Sequence, residues 1–385
     1  MTELEQYRRE IDAIDGELVQ LFLRRMEVTG NVGRYKQERG IPVLDAGRER
    51  QVIAAKIALT DDPARKADVA ALYESIMAIS RRQQRTLVQE GEEDPGFAAY
   101  LAALREARLP LEHPRVVYQG EPGAYSEEAA VGFFGPEVES VGLPWFGDVF
   151  AALDRREADY AMLPIENSST GSIRQVYDLL GQYQYYVVGE WQVKVDHCLM
   201  ALPGVGLDDI KTVYSHEQGL MQSEKFLDEH RDWRRIPTLD TAGSAKQVAE
   251  TGDRTAAAIC SRRAAEIYGL RILKEGVNHN DWNYTRFVVV SPKMELREGR
   301  NKISAIFRLP HQSGSLHEIL TIFAVQGLNL MKLESRPIPG RSWEYLFFLE
   351  FTGDLSAPGM EGVLHELSQL SAEFRLLGNF KGYEP

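Results

Sequence analysis

Over the first 88 residues, apolar side chains recur every three or four positions. Leu4, Tyr7, Ile11, Ile14, Leu18, Leu21, Val28, Val32 and Tyr35 place one stripe on one long helix. Pro42 breaks the pattern, and Asp45 is positioned to cap a second helix running to about residue 59. A third helix follows Asp61-Asp62-Pro63 and carries Leu72, Ile76 and Ile79. The first helix is longer than a domain of this size covers unaided, so an intertwined dimer is the simplest way to bury its stripe. Residues 89–113, with GEEDPG and the helical pattern AAYLAALREA, read as a linker. Across 114–292 the period shortens: RVVYQG, ADYAMLPI, YYVVGEW, KTVYSH, AAAIC and RFVVV are brief apolar runs separated by helical stretches such as SEEAAVGFFG and GLMQSEKFLDEH. That alternation predicts an α/β region with largely parallel strands, divided into two lobes around a cleft. In 302–385 the order strand, helix, strand, strand, helix, strand is the ferredoxin-like arrangement.

A chain of 385 residues exceeds one ordinary core, which agrees with several domains. The net charge of −13 argues against a general nucleic-acid or anionic-membrane binder, so anionic ligands need local cation clusters. Two cysteines, Cys198 and Cys260, show no spacing for zinc or a redox pair. With an N-terminus lacking an apolar core and no run of about 18 apolar residues, this predicts a cytoplasmic protein.

Arg25 occupies a stripe position where Leu or Ile is expected, and a buried guanidinium needs a partner. Lys36 returns to nearly the same face, roughly 16 Å along the axis at about 1.5 Å per residue, whereas Arg8 lies roughly 25 Å from Arg25. If Arg8 serves the same site it comes from an antiparallel partner helix. Ser80 and Gln84, spaced i, i+4, face one cavity from the third helix. Three cations, the adjacent Arg48 and Glu49, a hydroxyl and an amide suit a dianion rearranging under electrostatic stabilisation, with no nucleophile needed. A core salt bridge at Arg25 within an otherwise solvated surface satisfies the same spacing.

Taken together, Arg8, Arg25, Lys36, Asp45, Arg48, Glu49, Ser80 and Gln84 resemble the polar site of the all-helical chorismate mutase family. The resemblance implies that Arg8 of a second chain and Arg25 grip the two carboxylates of chorismate. Lys36 and Gln84 would bond the ether oxygen, and Glu49 would take the hydroxyl. Asp45, Arg48 and Ser80 complete the shell. Aligning the substrate for a pericyclic shift is then much of the catalysis.

Three motifs mark the α/β region. YQGEPGAYSEEAA is a strand, a glycine turn and a helix opening near Ser126, whose N–H groups suit a carboxylate or simply an ordinary cap. LPIENSSTGSI sets Glu166, Asn167, Ser168 and Ser169 between a strand and a helix, where turn chemistry accounts for them almost as well as a ligand site. NYTRFVVV places Thr285 and Arg286 at a strand entrance. In this order they resemble prephenate dehydratase, together with the YSHEQGLMQSEKFL and TAGSAKQVAE segments. That implies a two-lobed fold like that of periplasmic binding proteins. Thr285 becomes the acid that protonates the departing ring hydroxyl as carbon dioxide leaves. Arg286 and helix N-termini would neutralise carboxylates, Asn167, Ser168 and Ser169 would orient the substrate, and Glu166 or His216 would assist Thr285.

GSLHEIL and NLMKLESRP resemble the effector motifs of the ACT domain in phenylalanine-regulated dehydratases. The resemblance implies a phenylalanine site at a subunit interface from Gly314, Ser315 and Leu316 with Asn329, Glu334, Ser335, Arg336 and Pro337. Ser315 stands where the family usually has alanine, which would retune affinity. The expectation is a bifunctional enzyme of phenylalanine biosynthesis in a homodimer or higher oligomer. It would convert chorismate to prephenate and prephenate to phenylpyruvate, inhibited by L-phenylalanine, with neither metal nor organic cofactor implied. The alternative is a non-catalytic amino-acid sensor whose helical part dimerises.

Overall fold

Thr2 starts the first helix by a reciprocal cap: its hydroxyl accepts from the Glu5 N–H at 3.3 Å, and its own N–H donates to Glu5 Oε2 at 2.8 Å. The computed structural model describes residues 2–383 apart from 42, 44, 90–93 and 313. Pro42 and part of GEEDPG therefore lie outside the described residues. The chain divides into two units, Met1–Pro95 and Gly96–Pro385.

The first unit holds α1 (Glu3–Glu38), α2 (Ala46–Ile57) and α3 (Pro63–Gln89). Asp45 does cap α2, its Oδ1 accepting from the Arg48 N–H at 2.9 Å. Gly30 and Gly33 are buried where α1 meets α3. A Cβ on Gly33 would lie 3.1 Å from Gln84 Cγ, so glycine sets how closely the two helices approach. The apolar stripe of α1 is left largely uncovered by this contact. Its members from Leu4 to Tyr35 range from 41% exposed (Val32) to 63% (Leu21), an apolar face of a kind that single-chain soluble units rarely leave uncovered.

At the start of the second unit lies α4 (Pro95–Arg105), whose first residue closes the first unit, in the stretch expected to be a linker. Its apolar face enters the C-terminal core instead, with Tyr100 buried and Phe97, Leu101 and Leu104 packed around it. Next come β1 (Arg115–Gln119), α5 (Tyr125–Phe134), β2 (Glu139–Leu143), α6 (Phe146–Asp154), β3 (Tyr160–Asn167), β4 (Gly171–Ser172), α7 (Arg174–Gln182) and β5 (Tyr186–Lys194). The chain then builds a second lobe: β6 (Cys198–Ala201), β7 (Thr212–His216), α8 (Glu217–Gln222), α9 (Glu224–Leu227), β8 (Arg234–Thr238), α10 (Thr241–Thr251), β9 (Ala256–Cys260), α11 (Arg262–Tyr268) and β10 (Arg271–Lys274). It returns through β11 (Tyr284–Ser291). The first sheet runs β2-β1-β3-β11-β5 with β4 on β3, and the second β10-β6-β9-β7-β8. Largely parallel pairing was the expectation: β1 is parallel to β2 and β3, and β7 to β8 and β9, yet β11 is antiparallel to both β3 and β5, and β6 to β9 and β10. The cause is the double crossing between lobes, which brings β11 back against the direction of β3.

The C-terminal module is β12 (Lys302–Arg308), α12 (Ser315–Val325), β13 (Leu330–Pro337), β14 (Tyr345–Thr352), α13 (Met360–Leu370) and β15 (Glu373–Phe380), in the expected βαββαβ order. Its sheet runs β13-β14-β12-β15. Ile306, Phe348, Leu377 and Phe380 join the core on the outer face of the first lobe. At that seam a Cβ on Gly378 would lie 1.9 Å from the Val187 carbonyl oxygen, so only glycine lets β15 approach β5. Gly378→Ala is expected to lower stability by about 1–3 kcal/mol or more through overpacking. Gly362→Ala in α13, where a Cβ meets nothing within 4 Å, is expected to be neutral or stabilising by about 1 kcal/mol. Denaturant titration of the two variants checks the contrast. Among the described residues no helix is long and apolar enough to cross a membrane.

Candidate active sites

In the helical unit the expected residues separate into those one chain assembles and those it does not. Arg25 leaves the inner side of α1, and its Nη1 donates to Ser80 Oγ at 2.6 Å while Nη2 approaches Met77 Sδ at 3.6 Å. Ser80 and Gln84 are buried on α3. The Gln84 amide nitrogen bonds the Ser80 carbonyl at 3.3 Å, and its carbonyl oxygen is buried without a partner. A buried amide oxygen of this kind is costly unless a ligand or water meets it. Lys36 Nζ donates to the Val43 carbonyl, 2.5 Å away, which ties the end of α1 to the loop before α2. Glu49 is held by Arg81 of α3, a cation absent from the sequence reading. Arg48 and Arg8 are exposed. Among the described residues no contact links Arg8 to Arg25, in keeping with their axial separation.

The second unit contains a cavity of about 550 Å³ between its two lobes. Thr285 lies in its wall, 8% exposed, and pairs in register with Asn167 of β3 and Val193 of β5. The Asn167 amide nitrogen donates to Thr285 Oγ1 at 2.9 Å and to Asn283 Oδ1 at 2.8 Å. Its carbonyl oxygen accepts from the N–H groups of Ser169 and Thr170 at 3.0 and 3.1 Å. Asn167 is thus locked in orientation by the turn that follows it. With Oγ1 already accepting, the Thr285 hydroxyl hydrogen is available to a group in the cavity.

Neighbouring residues on a strand point to opposite faces, and that overturns two expectations. Arg286 and Glu166 pair on the outer face, away from the cavity. Arg286 bonds Glu190 at 2.9 Å, Glu350 at 2.8 Å and Glu166 at 3.2 Å. Lys302 reaches Glu190 at 2.7 Å and Lys332 reaches Glu166 at 2.9 Å. Burial alone would lower the Arg286 pKa, but Glu350 and Glu190 raise it above the usual guanidinium value. Burial likewise pushes Glu166 and Glu190 up, while Lys332 and Arg286 hold the first, and Arg286 and Lys302 the second, below the usual carboxylate range. This is a balanced ionic seam between the first lobe and the C-terminal sheet, so neither Arg286 nor Glu166 touches a ligand in the cavity. Ser168 is also turned outward: its hydroxyl donates to the Trp282 carbonyl at 2.7 Å and accepts from the Tyr284 N–H at 2.9 Å. Ser169 hydrogen-bonds Asn283 and Asn280 and does not line the cavity.

Of the other lining residues, the sequence reading had named Ser126 and His216 and missed His197, Gln222, Ser172, Arg174 and Thr241. His197 is buried, its Nε2 2.9 Å from Gln222 Oε1 and its Nδ1 3.0 Å from the Tyr125 hydroxyl. Burial depresses its pKa, so the ring is a neutral bridge that fixes Tyr125 and Gln222. His216 lines the cavity, is also depressed by burial, and accepts from the Gln218 N–H at 3.3 Å. Ser126, Ser172, Arg174 and Thr241 are among the remaining polar lining residues. The available signal for His197 and Gln222 was a lone polar residue beside an apolar run, which core satisfaction explains equally well.

In the C-terminal module Gly314 takes a positive φ of 89° and caps α12, with Ser315 and Leu316 in its first turn. Asn329 pairs through its backbone with Thr352. Ser335 and Pro337 are exposed on β13, an edge strand of the sheet. Glu334 and Arg336, expected at the effector, turn to Ser172 and Asp178 of the first lobe instead, because alternate residues on β13 face that lobe.

Two family models match the chain: "Chorismate mutase type II" over residues 7–85 and "Prephenate dehydratase" over 116–295. The bifunctional chorismate mutase/prephenate dehydratase of Escherichia coli K12 is 32% identical over 378 residues, covering 96% of this chain and 94% of that protein. The chloroplastic arogenate dehydratase/prephenate dehydratase 6 of Arabidopsis thaliana is 35% identical, over 80% of this chain and 78% of its own. Among solved structures, prephenate dehydratase from Arthrobacter aurescens in complex with L-Phe is 30% identical. It superposes with a TM-score of 0.64 over 70% of this chain and 90% of its own. Fold and cavity define an aromatic-pathway dehydratase joined to a helical mutase. The chain belongs to the bifunctional chorismate mutase/prephenate dehydratase family and carries both enzyme domains.

Proposed function

We propose that the two reactions are divided between the units as follows, with L-phenylalanine as their feedback effector in a cytoplasmic homo-oligomer. In the helical unit Arg25, Lys36, Gln84 and Glu49 act on chorismate, with Ser80, Asp45 and Arg48 around them. Arg8 of a second chain completes the site. The uncovered stripe of α1 supports this pairing, since an antiparallel copy both buries it and delivers Arg8. Lys36 and the Gln84 amide stabilise charge growing on the ether oxygen as its C–O bond breaks.

In the cavity, prephenate loses carbon dioxide and its ring hydroxyl together. The electrons of the breaking C–CO₂ bond flow into the ring, and hydroxide leaves as water once Thr285 donates its proton. Asn167 stabilises the alkoxide that remains, until the proton is replaced from solvent. Aromatisation supplies much of the driving force. The observation that carries this reading is the Asn167–Thr285 contact inside the cavity. Phenylalanine is placed between Gly314, Ser315 and Leu316 and the exposed Asn329, Ser335 and Pro337, at an interface formed along the open edge of β13. The Arthrobacter relative, solved with L-Phe, supports the choice of effector.

The test is to supply the purified chain with chorismate, without acid treatment, and follow products with and without phenylalanine. Prephenate followed by phenylpyruvate, suppressed by phenylalanine, is the expected course. Prephenate that accumulates unchanged removes the dehydratase assignment and leaves the mutase one.

A further inference from the structure

Lys332, Glu334 and Arg336 alternate along β13, so their side chains leave one face of the strand. All three end on one stretch of the first lobe, Glu166 to Asp178. Lys332 Nζ donates to Ser172 Oγ at 3.1 Å as well as pairing with Glu166. The Ser172 hydroxyl donates to Glu334 Oε2 at 2.8 Å. Arg336 meets Asp178 with two parallel bonds, Nε to Oδ1 and Nη2 to Oδ2, each 2.8 Å. Such two-pronged pairs fix orientation as well as distance.

The stretch gripped in this way is a wall of the dehydratase cavity. It supplies Asn167, Thr170, Ser172, Ile173, Arg174 and Gln175 to the lining. Asp178 lies four residues beyond Arg174 on α7, one turn along the same face. Among the described residues Arg174 is the only arginine or lysine lining the cavity, and no ion pair is found for it. Arg286, the cation that the sequence singled out, is consumed by three carboxylates outside. Prephenate brings two carboxylates into a chain of net charge −13, so a local cation is required. Asp240 adds a further negative group to the lining, which sharpens that need.

We propose that Arg174 binds a carboxylate of prephenate, and that Asp178 and Arg336 are positioning residues that hold α7 so that Arg174 reaches it. The C-terminal module then sets substrate affinity from outside the cavity. This rests on the cavity being the dehydratase site, which turnover of prephenate by the unmodified chain tests separately.

Steady-state kinetics on the full chain decide the matter. Arg174→Gln is expected to raise KM for prephenate about tenfold or more while kcat changes less than about threefold, the signature of lost ground-state and transition-state binding alike. Asp178→Asn is expected to raise KM about threefold. The double variant is expected to be no worse than Arg174→Gln alone, because Asp178 acts through Arg174. Arg336→Lys, which keeps the charge and loses the second prong, reproduces the Asp178→Asn effect and serves if that variant folds poorly. Mutase activity and the unfolding midpoint report folding in every case. An unchanged KM in Arg174→Gln overturns the binding role. KM effects that multiply in the double variant overturn the positioning role.

Discussion

In Thr285→Val, dehydration of prephenate is expected to fall by about 10²–10⁴ in kcat, the span typical of removing a positioned acid, while conversion of chorismate to prephenate continues unchanged. Valine keeps the β-branched shape that suits β11 and removes only the hydroxyl. Asn167 loses one of its partners but keeps Asn283 Oδ1 at 2.8 Å and the Tyr284 carbonyl at 3.2 Å. No buried amide is therefore stranded, and the unfolding midpoint should move little. A chorismate-fed reaction would then stop at prephenate, readable as an ultraviolet-silent intermediate that yields phenylpyruvate only on acid treatment. Thr285→Ser should recover much of the rate, since serine presents the same donor to the cavity. If Thr285→Val retains dehydration within about tenfold of the parent, the proton comes from another lining group, and His216 is the next to examine.

The three-part organisation was legible in the periodicity of the chain, because a 3–4 spacing, short apolar runs and the βαββαβ alternation are properties of local segments. What escaped were features set by tertiary contact. The segment around Tyr100 looked like a linker, since nothing in AAYLAALREA reveals that the C-terminal core supplies its partner surface. The direction of β11 depends on where the chain has been for the preceding lobe. Arg286 shows the limit most plainly. It adjoins Thr285 in sequence, and family resemblance made both look like site residues, yet the strand's two-residue period sends one inward and the other out. The period itself was readable. Which face held the cavity was not, until β3, β5 and the C-terminal sheet fixed it. Arg174 was overlooked for the converse reason: it sits at the start of a helix among residues that look like turn chemistry, and only the closure of two lobes makes it the cavity's cation.

Arg8→Ala and Arg25→Ala, each nearly inactive as a mutase when pure, are expected to recover activity when the two chains are co-assembled. Losing one cation from a site that works by electrostatic stabilisation should cost about 10²–10³ in rate. Both residues belong to α1, but a straight helix keeps them roughly 25 Å apart at about 1.5 Å per residue, too far for one substrate to touch both. In a heterodimer, the site built on the unaltered Arg25 receives an unaltered Arg8 from the other chain, and the second site lacks both. Random pairing makes about half of the dimers mixed, with one good site of two, so the pool should show about a quarter of the parent mutase activity. Dehydratase activity is the internal control, since neither arginine lies in that unit. A mixed pool no more active than its components would mean that Arg8 and Arg25 serve the same chain or that Arg8 serves nothing. The exposed stripe from Leu4 to Tyr35 would then need another cover. Recovery near a quarter ties two observations to one cause: the face that leaves α1 without a partner is also the face that carries the missing cation to the site.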